Sequence, residues 1–187
     1  MEARKLIDFL GIIEKLKCNT RHSWTSTGRH ESIAEHSWRL AVMALLVAEE
    51  FPDVDMVKVV KMCLIHDFGE AITGDTPSFN KTQADERAEE EAITELLKQL
   101  PTALGEEFQA LFQEMSELST EEAKLFKALD NLEAIISHNE APLDTWIPLE
   151  YTENITYGTE RVAHCEYLKG LKEEIKKDTV RKIDGTL

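Results

Sequence analysis

Apolar residues recur along this chain mostly at helical spacing, so the pattern predicts a succession of amphipathic helices. Leu6, Ile7, Leu10, Ile13 and Leu16 make a one-sided stripe over Ala3 to Lys17. Ser32-Ile33-Ala34-Glu35 has the form of a capping box, and a strong apolar pattern follows it to about Glu50. Val57, Val59, Val60, Met62, Cys63, Leu64 and Ile65 are apolar almost all round the next helix, which predicts an interior position. That helix leads directly into His66-Asp67-Phe68-Gly69-Glu70-Ala71. Further helices are expected over Ala88 to Leu100, over Leu104 to Leu118, from a second box at Ser119-Thr120-Glu121-Glu122 to about His138, and over about Gly158 to Lys177. Cys18 to Glu31 reads as a loop of about a dozen residues, long enough to carry function. Glu86, Glu89, Glu90 and Glu91 read as a solvated acidic face.

Polar groups on buried helices need partners, and four candidates fall on or beside buried faces. His36 sits in the first full turn of its helix with Ile33 and Leu40 on the same face, and His66 and Asp67 close the interior helix. Asp130 lies in line with Phe126 and Ala134, beside the stripe of Leu125, Leu129, Leu132 and Ile136. Taken singly, these are a hydrogen-bonded core histidine, a helix end and a flank acid paired with Lys127. Together, two imidazoles and two carboxylates suit a borderline divalent ion with coordination positions left open. Glu70 lies at i+4 from His66 and i+3 from Asp67, hence on their face. Gly69, about 1 kcal/mol worse than alanine inside a helix, predicts close approach by a ligand or another backbone. Asp75, in Gly74-Asp75-Thr76-Pro77, is first of all a turn former. In the loop, Arg21 is suited to clamp a phosphate or carboxylate and Trp24 to stack on a flat ring, against the plainer readings of a surface ion pair and a hydrophobic plug. Glu35 is both a cap and a substrate-binding candidate.

The 187 residues fit one domain spanning 1–187. A formal charge of -15 argues against a nucleic-acid partner, because phosphate neutralisation needs clustered Lys and Arg. A bound cation would provide the positive centre that an anionic substrate needs. Cys18, Cys63 and Cys165 are odd in number and include no C-x-x-C pair, the pattern of a reduced, intracellular protein. Asp8 interrupts the apolar stretch from Leu6 to Ile13, and the run Leu40 to Ala48 is less than half of the approximately 20 residues that span a bilayer. The expectation is a soluble cytoplasmic protein with no membrane partner.

The order His36, then His66-Asp67, then Asp130 resembles the HD-domain metal-dependent phosphohydrolases. Glu31-Ser32-Ile33-Ala34-Glu35-His36-Ser37-Trp38 and His66-Asp67-Phe68-Gly69-Glu70-Ala71-Ile72-Thr73-Gly74-Asp75, followed by Ala128-Leu129-Asp130, resemble the signatures of the 5'-deoxynucleotidase branch. The similarity covers roughly residues 5 to 140, with the helix at about 158 to 177 packing on that core. The resemblance implies an all-α, single-domain HD-type bundle around a central metal site. It makes His36, His66, Asp67 and Asp130 the ligands of one divalent ion, Glu70 and Asp75 the acid/base carboxylates, and Arg21 the phosphate-binding arginine. Trp24 matches an arginine-x-x-tryptophan form of the loop, whereas His22 departs from the arginine-tryptophan order of bacterial members. The implied reaction is hydrolysis of a deoxynucleoside 5'-monophosphate to deoxynucleoside and phosphate. Competing readings are a nucleotide phosphodiesterase or pyrophosphohydrolase, and a non-catalytic nucleotide-sensing module with a structural metal. The mixed ligand set suits manganese, cobalt, iron, nickel or zinc. The family also implies a homodimer, with exposed apolar positions on the last helices, or the Trp146 segment, as the contact.

Overall fold

The computed structural model describes residues 1–186, and the chain is helical apart from one hairpin. Helices α1 (Ala3–Ile13) and α2 (Lys15–Cys18) lead into strands β1 (Thr20–Trp24) and β2 (His30–Ser32). Then follow α3 (Ile33–Leu46), α4 (Met56–Ile65), α5 (Glu70–Thr73), α6 (Gln83–Leu97) and α7 (Thr102–Glu117). Helices α8 (Glu121–Glu140), α9 (Glu150–Thr156), α10 (Thr159–Val162) and α11 (Glu166–Ile183) complete the all-α architecture. No helix among the described residues is long and apolar enough to cross a membrane.

The core lies where α3, α4 and α8 meet. Leu40 and Ala44 of α3, Val59, Met62 and Cys63 of α4, and Leu125, Leu129 and Leu132 of α8 are all almost fully removed from solvent. Burying each of the larger side chains contributes roughly 1.5–3 kcal/mol. α11 closes the far side of α8 through Leu168 and Ile175. This packing presents one end of α3, the end of α4 and the middle of α8 to a common point.

Caps set where the helices begin. Both halves of the Ser32/Glu35 box are made, so α3 starts where the sequence pattern places it. Asp55 caps α4 by accepting from Val57 N–H and Lys58 N–H. At α8 the cap is Thr120, which accepts from Ala123 N–H, and the box expected from Ser119 to Glu122 is not the one formed. α6 begins earlier than Ala88 because Thr82 and Asp85 make a reciprocal box of their own.

Two expectations are corrected by the tertiary structure. The stretch Cys18 to Glu31 is a hairpin and not a loop: Thr20 pairs with Ser32 and Trp24 with His30, with an irregularity between them. Its second strand runs straight into the α3 cap, which anchors the pairing. The single helix expected over 158–177 is divided by Cys165, whose extended backbone lets α11 turn onto α8. Gly158 there has φ 73°, and a Cβ on it would come within 2.9 Å of the Asn131 side chain. Trp146 itself is buried, its indole N–H donating to the His138 carbonyl at 2.8 Å, while Leu149 and Tyr151 near it are exposed.

Candidate metal centre and active-site cleft

The end of α4 is where regular helix gives way. His66 N–H still bonds to the Met62 carbonyl, but Phe68 N–H, Glu70 N–H and Ala71 N–H bond three residues back, to Ile65, Asp67 and Phe68. This tighter winding carries the chain through His66, Asp67 and Gly69 into α5. The glycine expected to admit a close neighbour does so, and the neighbour is backbone: a Cβ on Gly69 would lie 3.1 Å from the Glu89 carbonyl of α6.

His36, His66, Asp67 and Asp130 converge at this end of the bundle. Nε2 of His36 and Nε2 of His66 lie 3.1 and 3.8 Å from Oδ1 of Asp130. Nε2 of His66 also lies 3.1 Å from Oδ1 of Asp67, and ligand atoms of His36, His66 and Asp67 all fall within 4.8 Å of one another. Two ligand atoms each about 2.1 Å from one ion and at right angles are about 3 Å apart, so these separations fit a shared divalent cation.

The backs of the imidazoles are also committed in the sense a cation requires. Nδ1–H of His66 donates to the Cys63 carbonyl at 2.9 Å, and Nδ1–H of His36 donates to Oε2 of Glu133 at 2.5 Å. Both acceptors lack protons, so they assign the Nδ1 proton and leave Nε2 facing the centre. Lys127 takes the other oxygen of Asp130 at 2.7 Å. Burial opposes charge on Asp130, but Lys127 and the two imidazoles hold its carboxyl well below the usual range. Asp67 is likewise held low against burial by His66.

A cleft of about 420 Å³ opens over this cluster, within the size range of small-ligand sites. Arg21 of β1, Glu70 of α5 and Asp75 all line it. Nη1 of Arg21 is buried without a hydrogen-bond partner, lying 3.6 Å from Glu31 and 3.7 Å from Glu133. Oε2 of Glu70 is also buried without a partner. Burial, followed by the charges of Asp67, Asp75 and Glu89, pushes the Glu70 carboxyl up. Asp75 is raised by burial, and its Oδ2 accepts from His22 N–H at 3.3 Å.

Two residues expected at the substrate do not line the cleft. Trp24 stacks on His30 with ring centroids 3.9 Å apart, held there by the strand pairing. Glu35 is committed to the α3 cap and to Arg29 at 2.6 Å, on a separate surface depression that also includes Trp38.

The structure adds residues that no local pattern announced. His22 and His138 both point Nε2 at Oε1 of Glu150, at 3.1 and 3.2 Å, and these three form one wall of the cleft with Phe79 and Tyr157. The bond to Glu150 raises the His22 imidazole, while burial lowers that of His138. Lys81 also lines the cleft, and Glu89, read as solvated, pairs with it at 2.6 Å. Glu133 alone carried a sequence signal, since it lies three positions after Asp130 on the same face of a buried helix.

A family model for the HD domain matches residues 13–170. The chain is 36% identical over 142 residues to the 5'-deoxynucleotidase HDDC2 of Bos taurus, covering 74% of this chain and 68% of that one. It is 33% identical over 144 residues to 5'-deoxynucleotidase HDDC2 of Dictyostelium discoideum, covering 72% and 76%. Among solved structures it resembles a predicted metal-dependent phosphohydrolase of Magnetospirillum magnetotacticum, with a TM-score of 0.80 and 28% identity over 98% of this chain and 94% of that one. A conserved hypothetical protein from Pyrococcus furiosus matches with a TM-score of 0.74 and 33% identity over 91% and 99%.

Proposed function

This chain belongs to the HD-domain family of metal-dependent phosphohydrolases, and we propose that it acts as a 5'-deoxynucleotidase, cleaving deoxynucleoside 5'-monophosphates to deoxynucleoside and phosphate. The observation that carries this reading is the shared cleft: a four-ligand cluster beside an arginine and a carboxylate that each hold a buried, unpartnered polar atom. Buried groups of that kind are costly unless a ligand completes them.

His36, His66, Asp67 and Asp130 would hold the divalent ion, of borderline type. Held there, such an ion would supply Lewis acidity toward a phosphate oxygen and toward water. Arg21 places its free N–H donors toward phosphate oxygens and balances their charge as it spreads in the transition state. Glu70 and Asp75 divide the two proton transfers: one orients the attacking water and takes its proton, and the other gives a proton to the departing 5'-oxygen. The aromatic wall of Phe79 and Tyr157, with His22 and His138, receives the nucleoside.

Monophosphates are favoured over longer phosphate chains by how the cations are used. Lys81 and Lys127 line the same cleft, but each is engaged by a carboxylate, Glu89 and Asp130. Chromatography of the products formed from deoxy- and ribonucleoside mono-, di- and triphosphates and cyclic nucleotides, each with manganese, cobalt, nickel, zinc and ferrous ions, tests the reading. Deoxynucleoside monophosphates should be the preferred substrates, and turnover of triphosphates or cyclic nucleotides alone rejects it.

A further inference from the structure

Behind the ligand cluster, Glu133 is 1% exposed and yet carries a carboxylate. Its Oε2 accepts Nδ1–H of His36 at 2.5 Å, and its Oε1 accepts Nε–H of Arg39 at 2.5 Å. The guanidinium of Arg21 stands 3.7 Å from that same Oε2, close enough for attraction but without a hydrogen bond to use up its donor. One carboxylate therefore faces a candidate metal ligand and the candidate phosphate anchor at once. Glu133 lies three positions after Asp130 on α8, so a single helix turn presents a candidate ligand and the partner of a candidate ligand together.

Stability is a poor explanation for this residue. A buried ion pair seldom outperforms apolar packing of the same volume, so the three polar contacts of Glu133, to His36, Arg39 and Arg21, are not what the fold needs for stability alone. We infer that Glu133 is a positioning residue that ties the two halves of the site together: it fixes the His36 proton on Nδ1 so that Nε2 turns to the cation, and it holds the Arg21 guanidinium beside the phosphate position with a donor to spare. The inference rests on the metal-dependent reading of the cluster. An acceptor behind a ligating imidazole raises its basicity and locks its ring, and removing such a partner typically costs 10- to 100-fold in metal affinity. Arg39 serves as the internal control, because it touches Glu133 from the side away from His36 and is engaged besides by Glu140 and Ser137.

The test measures the Mn²⁺ dissociation constant of metal-stripped protein by the electron paramagnetic resonance signal of free Mn²⁺, with thermal unfolding and nucleotidase kinetics on the same samples. Glu133→Gln should bind Mn²⁺ about 10- to 100-fold more weakly, and its KM should rise as well as its kcat fall, since Arg21 loses a neighbour. Glu133→Asp keeps the charge for Arg39 but draws it back from His36, so it should fold and still bind Mn²⁺ weakly. Arg39→Met should lower the melting temperature while holding Mn²⁺ within about threefold of the parent, as expected for a group outside the ligand's own hydrogen bond. Parent-like Mn²⁺ affinity in a folded Glu133→Gln or Glu133→Asp protein overturns the inference. So does an Arg39→Met protein that loses affinity as severely, because the effect then belongs to packing of the whole network. A parent protein that itself binds no Mn²⁺, nor any other divalent ion, instead rejects the underlying metal reading.

Discussion

Oδ1 of Asp130 lies 3.1 Å from Nε2 of His36, although the two residues are 94 positions apart in the chain. Lys127 neutralises the other oxygen of the same carboxylate, so Asp130 offers one oxygen to the centre and one to its own helix. Asp130→Ala should therefore lose bound divalent metal, with affinity reduced by more than about 100-fold, beyond the loss expected for an outer partner. Metal analysis of the purified variant checks this, and a metal content equal to the parent's would remove Asp130 from the ligand set.

Arg21, the proposed phosphate anchor, makes no hydrogen bond to the ligand cluster through its buried Nη1. Arg21→Ala should leave metal content unchanged and lower kcat/KM by about 10²- to 10³-fold, the usual loss for one transition-state donor. Steady-state kinetics with a deoxynucleoside monophosphate decide the matter, and unaltered constants would reject its role.

Glu70 has a buried oxygen that nothing in the protein satisfies. Glu70→Gln should keep both the fold and the metal and lower kcat by about 10²- to 10⁴-fold, the range for loss of a proton-transferring group. Retention of more than a tenth of the parental rate would assign proton transfer elsewhere.

Gly69 gives α6 its seat. In Gly69→Ala the new Cβ would lie 3.1 Å from the Glu89 carbonyl and 3.2 Å from Ile93, and one of them must move. Overpacking costs about 1–3 kcal/mol and outweighs the roughly 1 kcal/mol that alanine gains in helix propensity. Thermal unfolding should show a lower midpoint, whereas a rise would mean that α6 yields freely.

Lys172 is buried on α11, with one hydrogen bond, to the Asn154 carbonyl at 3.3 Å. Burial, reinforced by Lys176, lowers its pKa from the ordinary 10.5 to about 8. A lysine depressed in the folded state binds fewer protons there than in the unfolded chain, so it destabilises the fold fully below about pH 8. That cost fades as pH rises toward the unfolded value. Lys172→Met should be more stable than the parent at pH 7, and the gap should narrow between pH 8 and 10 in denaturant titrations at matched pH. A gap that stays constant would show that the charge is not what costs stability there.

Local information settled more than the class of fold. The 3.6-residue period marked the helices of the core, side chains that cap their own backbone marked the start of α3, and residue type singled out His36, His66, Asp67 and Asp130 as a candidate set that the fold brings to one end of the bundle. Periodicity and capping are legible because they depend on residues within a turn or two of one another. Pairings across the chain were not legible in the same way. Trp24 and Glu35 have side chains suited to substrate, but a strand partner and a cap with Arg29 claim them first. Glu150 joins His22 over 128 positions, and Arg39 joins Glu133 over 94. Which acid meets which base is decided only when helices pack, because burial makes each charge seek whatever partner the neighbouring element brings within reach.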